Sequence, residues 1–292
     1  MQNSASYDKR GYLNEHFRIF HLRDTAGHEL DYHYHDFDKI IIFISGCVDY
    51  YVEGVSYPLQ PMDILLVGHH RIHKAQIDCR EPYERIIIYI DSDFAEQCST
   101  ERTRLINCFD LAEKRGFCLV RPDGKAGARL MELARNMGAS LGSGEFGADV
   151  LIHAQFLQTM VLINRMALAS SDSAAGKIAR FDPRITEVLS YISENLTERL
   201  TVDALAERCF YSKYHFMRRF RETTGHTVHS YIRKKRLLFA VSLLKKNTPA
   251  VRAASMSGFN DYSAFLRAFR GEFGTAPSEF TGISTTGMPG RE

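Results

Sequence analysis

A pattern that occurs twice in the last third of the chain restricts its fold more than any other feature. Ser212–Gly225 and Asp261–Gly274 have equal length, and each opens on a good helix-capping residue and closes on glycine. Each sets aromatics four apart on one helical face (Phe216 and Phe220; Phe265 and Phe269) and arginines on the other. A shorter apolar-periodic segment precedes each, Val202–Cys209 and Ala250–Met256. A short helix, a tight turn and a capped basic helix make a helix-turn-helix, and two in one domain predict binding to double-stranded DNA.

The charge distribution points the same way. Residues 181–292 carry 17 Lys and Arg against 11 Asp and Glu, whereas the first 180 residues carry 20 against 24. A basic half joined to a mildly acidic one suits a protein that holds DNA by one domain. At 292 residues, 45% of them hydrophobic, the chain can bury two cores. It has no run of 18 apolar residues, and Met1–Arg10 lacks the apolar stretch of a signal peptide, so no membrane segment or leader is expected. Six scattered cysteines form no CxxC pair and no metal-ligand spacing, and read as reduced thiols of a cytoplasmic protein.

The first 95 or so residues are predicted to be β-rich. Lys39–Ser45 and Cys47–Val52 are β-branched and aromatic runs ended by glycine, and Tyr57–Leu59, Asp63–Val67, His73–Ile77 and Glu84–Ile90 continue the series. Short strands at near-even spacing indicate a sandwich or small barrel. Ala126–Leu141 and Phe146–Ala169 are helical by period and propensity. The expected class is therefore α+β: an N-terminal β-barrel with two helices over residues 1–170, a linker over 171–180, an all-α domain over 181–281, and a disordered tail over 282–292.

In the C-terminal domain, Leu205-Ala206, Ser212, Phe220-Arg221, Gly225, Tyr231 and Arg236-Leu237 resemble the first motif of AraC-type transcription regulators. Ala254, Ser257-Gly258-Phe259, Phe265, Arg267, Phe269, Gly274, Pro277-Ser278 and Phe280 resemble the second. Ala250 and Ala253 depart from it by standing where larger aliphatics are usual, and Phe280 by standing where tyrosine is usual. The resemblance implies that Tyr214, Met217 and Arg218 face the bases, with Arg219 and Arg221 on phosphates or in solvent. In the second unit it implies Tyr262, Ser263, Leu266 and Arg267 on the exposed face. Arg218 can give a guanine two hydrogen bonds.

The β-rich half resembles the cupin-type sensor of the same regulators, through His33-Tyr34-His35-Asp36-Phe37, Gly46, and His73 following Asp63–Leu66. Metal-binding cupins use two histidines, a glutamate and a later histidine. Here Lys39 takes the glutamate's place and Met62 replaces a usual glycine, so no metal or other cofactor is expected. Period-2 alternation puts His33 and His35 on one face, and Lys39, Ile41 and Phe43 on one face of the next strand. Two readings of His33, His35, Lys39 and His73 stand side by side: an effector pocket for hydroxyls, carboxylate or phosphate, or a lysine snorkelling at the strand end with histidines bonded inside the fold.

No GxSxG, P-loop or Rossmann fingerprint is present, so no catalytic residue is assigned. The reading is a small-molecule-responsive DNA-binding regulator; the alternative is a metal-dependent cupin enzyme fused to a DNA-binding module. The resemblance implies a sugar or sugar derivative as effector, an activator that meets RNA polymerase, and a homodimer. Leu130, Leu133 and Met137, with Phe156, Met160 and Ile163 in the next helix, are apolar stripes that serve either as that dimer face or as packing against the barrel.

Overall fold

The computed structural model describes residues 13, 15–25, 32–78, 81–141, 143–170, 179–180 and 182–280. The N-terminal segment 1–10, most of the expected linker and the expected tail lie outside the described residues.

Nine strands are described: β1 (Phe17–Asp24), β2 (Asp38–Ser45), β3 (Cys47–Val52), β4 (Val55–Pro58), β5 (Ile64–Val67), β6 (His73–Asp78), β7 (Tyr83–Ile90), β8 (Leu119–Val120) and β9 (Ala179–Arg180). They form a five-stranded sheet, β1-β7-β2-β5-β8, and a four-stranded sheet, β6-β3-β4-β9. All named pairings are antiparallel. Gly46 turns β2 into β3 at φ +116°, where an added Cβ would meet Pro82 O and Tyr83 Cα at 3.0 Å.

Strand alternation divides β2 between two cores. Ile41 and Phe43 join Leu65, Val67, Ile87 and Tyr89 of the same sheet and Val48, Tyr50, Val52 and Tyr57 of the other, so the two sheets face each other. Ile40 and Ile42 point the other way, into a core shared with helices. Those helices are α1 (Ser92–Gln97), α2 (Asn107–Arg115), α3 (Gly124–Ser140) and α4 (Ala148–Ala169). The first two escape the sequence pattern because each has fewer than three turns.

Leu130, Met137, Phe156, Met160 and Ile163 all lie in this second core, with Phe156, Met160 and Ile163 fully buried. Of the two readings of this stripe, packing against the barrel is the one the structure shows for Phe156 and Met160, whose face covers the sheet. The exposed side of α4 instead carries Val150, Ala154, Leu157 and Leu168. Ala179 and Arg180 pair with Ser56 and Val55, because the open edge of β4 offers unpaired backbone groups to the passing chain.

The C-terminal domain comprises α5 (Pro183–Glu194), α6 (Val202–Arg208), α7 (Lys213–Thr224), α8 (Val228–Lys245), α9 (Ala250–Met256), α10 (Tyr262–Phe273) and a 3-10 turn at Pro277–Phe280. Helices α6 and α7 make the first helix-turn-helix, α9 and α10 the second, and α8 joins them. Ala253 and Ala254 are buried beside Phe265 and Phe269 in the second unit's core, so aromatic rings fill the volume that small side chains leave.

Candidate nucleic-acid interface and effector pocket

Both reading helices begin with the caps that their sequences indicate. Ser212 Oγ accepts from His215 N at 3.4 Å, and Asp261 accepts from Ser263 N and Ala264 N, each at 3.0 Å. Both end at a left-handed glycine, Gly225 and Gly274, each with φ +74°. Phe216, Phe220, Phe265 and Phe269 are fully buried, which turns the opposite faces outward. Tyr214 is 75% exposed and Met217 41%. Arg218 lies in the open with a long 3.7 Å contact to Glu222. Arg221, Tyr262, Ser263 and Arg267 are exposed and Leu266 half-buried.

Arg219 departs from this set. It is bonded to Asp182 at 3.3 Å and to Glu222 at 3.0 Å, and Asp182 also caps α5 and accepts from Tyr211 Oη. Its guanidinium ties α7 to α5 within the domain. No local pattern indicates this pairing, since Asp182 lies far back in the sequence.

On the sensor side, His33, His35 and His73 come together, with ring centroids 4.4 to 5.3 Å apart and one nitrogen from each within 4.8 Å of the others. His73 is buried, and burial together with nearby Lys39 holds it well below the usual imidazole range, hence neutral. Its Nδ1 lies 2.8 Å from the Arg71 carbonyl and must donate there, so Nε2 keeps a lone pair. That Nε2 is buried with no hydrogen-bond partner among the described residues.

Lys39, 6% exposed, donates to Tyr50 Oη at 3.3 Å and lies about 6 Å from the Tyr50 and Tyr89 ring centres. No carboxylate among the described residues pairs with it. Burial, reinforced by Arg85, lowers its ammonium to about 7. The strand-end snorkelling reading fails for this side chain, which turns inward between the sheets.

A second polar cluster, absent from the sequence reading, joins the two domains. Glu53, at φ +46°, is buried at the β3–β4 turn and accepts from Lys235 Nζ at 2.6 Å, from Ile72 N at 3.0 Å, and from Tyr231 Oη. Burial opposes its ionisation, but Lys235 and Arg71 overcome this and hold the carboxyl below its ordinary range. Beside it opens a cavity of about 590 Å³ between the domains, lined by His69, His70, Arg71, Glu113, Lys235 and Phe239 among others. The loop histidines, His69 and His70, therefore face this cavity and not His73.

A buried cluster of histidines and a lysine thus lies in the β-rich domain, and exposed basic helices lie in the helical one. A family model described as the AraC-like ligand binding domain matches residues 18–158, and a helix-turn-helix domain model matches 205–282. The chain is 34% identical over 99 residues to the probable transcription factor PqrA of Proteus vulgaris, covering 33% of this chain and 81% of that one. It is 34% identical over 97 residues to the regulatory protein SoxS of Escherichia coli, covering 33% and 91%. Among solved structures, the DNA-binding domain of AdpA in complex with a target DNA is 33% identical over 34% of this chain and 89% of that one, with a TM-score of 0.32. ToxT from Vibrio cholerae is 15% identical over 91% and 98%, with a TM-score of 0.34. The chain belongs to the AraC-type family of DNA-binding transcription regulators and carries the family's ligand-binding domain. No helix among the described residues is long and apolar enough to cross a membrane.

Proposed function

We propose that this regulator responds to a small polyhydroxylated ligand bearing an anionic group, a sugar acid or sugar phosphate, held by Lys39, His73, His33 and His35. One observation carries the reading: a buried lysine without a carboxylate partner stands beside a buried imidazole nitrogen that keeps its lone pair. The lysine satisfies an anion and the Nε2 accepts from a hydroxyl, so a hydroxylated acid answers both needs. This function is binding, with no catalytic residue assigned. DNA is held by Tyr214, Met217, Arg218 and Arg221 of α7 and by Tyr262, Ser263, Leu266 and Arg267 of α10. Two copies associate through the exposed face of α4, where Leu157→Glu yields folded monomers in sedimentation.

Thermal-shift screening of the full chain against neutral sugars, sugar acids and sugar phosphates tests the ligand. A compound at 100 times its Kd raises stability by about 2.7 kcal/mol, and Lys39→Met abolishes the gain. Binding of neutral sugars with equal strength in Lys39→Met would refute the anionic assignment. In a transcription assay, an activator raises transcript when that compound is added; a fall makes the protein a repressor.

The three clustered histidines support a second reading, a metal-holding site. A three-histidine set suits zinc, which would polarise an oxygen bound at an open position. Lys39 fits beside a dication only as the neutral amine, so such binding strengthens above pH 7. Metal analysis of protein purified at neutral pH separates the readings: one equivalent of zinc, lost in His33→Ala, favours this second one.

A further inference from the structure

The segment 32–37 has two faces that alternate residue by residue. His33, His35 and Phe37 turn toward the proposed ligand site: the His33 and His35 rings meet His73, and the Phe37 ring stacks on His35 at 4.6 Å. Tyr32, Tyr34 and Asp36 turn the other way and meet the DNA-binding domain. Tyr32 Oη donates to the Thr223 carbonyl at 3.0 Å, and its ring covers Gly225 so closely that a Cβ there would collide with it. Tyr34 Oη donates to Glu272 Oε1 at 2.6 Å, and Lys234 meets the same carboxylate at 3.2 Å. Asp36 pairs with Lys245 at 2.9 Å.

All three partners occupy last turns of helices: Thr223 in α7, Glu272 in α10 and Lys245 in α8. Helix ends leave carbonyls without partners inside the helix, and Tyr32 satisfies one of them. The segment therefore grips both reading helices by their C-terminal ends and leaves their capped N-terminal turns, which enter the groove, exposed. His33 exchanges backbone hydrogen bonds with His73 at 3.0 and 2.8 Å, and the His35 carbonyl accepts from His70 N at 2.8 Å. The neighbouring Ile72 is buried in the core of the first helix-turn-helix.

We propose that segment 32–36 is the transmission element of this regulator, reporting occupancy at His33, His35 and His73 as a change in its hold on α7 and α10. This rests on the proposed ligand site and assigns its route to the DNA-binding surface. A two-residue period makes the linkage direct: a backbone displacement that moves His33 or His35 must move Tyr32, Tyr34 and Asp36 with it. Differential contact on the pocket face then biases two arrangements of the docked helices, as a coupling between sites requires.

Hydrogen exchange of the full chain tests this without an identified ligand. His35→Phe adds bulk to the pocket face, and His73→Gln perturbs it without added bulk should the first variant fold poorly. In an otherwise wild-type chain, either should speed exchange at 223–226 and 271–275 by on the order of threefold or more. In a Tyr32→Phe/Tyr34→Phe chain the same pocket substitution should leave those segments unchanged. Equal exchange in the wild-type chain and both pocket variants, or an undiminished response in the tyrosine double variant, overturns the proposal. Loss of duplex binding in a wild-type chain that exchanges as described would instead defeat the DNA reading and leave the linkage intact.

Discussion

The histidine cluster between the sheets and the domain interface each enclose a lysine, and the two are solved differently. Lys235 sits 7% exposed with Glu53 at 2.6 Å, a tyrosine hydroxyl on the same carboxylate and the His70 carbonyl on its own ammonium. Lys39 is buried to the same degree with one phenol at 3.3 Å and two aromatic faces. Taking a cation out of water costs several kcal/mol unless opposite charge meets it, so the first arrangement is complete by itself and the second is not. The paired lysine holds two domains together. The unpaired one is the group that the proposed anionic ligand would complete.

The largest expected effect breaks the paired member. Lys235→Met strands the Glu53 carboxylate and should cost about 3–5 kcal/mol in urea unfolding, with most of it recovered when Glu53→Gln is added. A loss well under 1 kcal/mol would mean that the interface is solvated and opens freely.

Lys39→Met should act in the opposite direction and expose itself through pH. Folded Lys39 gives up its proton near pH 7, whereas the unfolded side chain keeps it to about 10.5. The unfolded chain therefore binds more protons between those values, and stability rises with pH there. Between pH 7 and 9 the wild type should gain about 2 kcal/mol relative to Lys39→Met. Parallel pH profiles for the two proteins would show that Lys39 keeps its charge, and the contrast between the lysines would vanish. A bound sugar acid sharpens it, because an anion holds the ammonium protonated and flattens the wild-type profile.

A similar contrast, tight pairing against loose, sorts the arginines of α7. Arg218→Ala should cost about 1–3 kcal/mol of DNA affinity and relax preference at one base position in a competition assay. A loss uniform over sequence would move Arg218 to the phosphates. Arg219, already bonded to Asp182 and Glu222, should show its smaller effect in folding. Arg219→Ala should lower stability by roughly 0.5–1 kcal/mol, given its partial exposure, and change base preference little.

The helix-turn-helix units were legible because their signals are local. A cap bonds a backbone N–H two or three residues on, a terminal glycine relieves strain at one position, and aromatics four apart share a face by helical geometry alone. Strand alternation likewise placed Ile41 and Phe43 on one face with Lys39, and Ile40 and Ile42 on the other. The same period set His33 and His35 together, with His73 supplied by the family pattern.

What alternation and amphipathicity leave open is the identity of whatever covers a face. The stripe of Phe156 and Met160 reads equally as a dimer surface or a core surface, and only the sheet behind it decides. Tyr32, Tyr34 and Asp36 are visible as the reverse side of the histidine segment, yet nothing local says that helix ends from another domain lie there. Glu53 and Lys235, like Asp182 and Arg219, are distant in sequence, and a charge pair between two folded elements leaves no periodic trace. The chain by itself determined the elements, their caps and their faces, since these follow from backbone geometry and neighbouring side chains. Only the tertiary structure decided which faces meet and which buried charge finds a partner, because those depend on how separate elements pack.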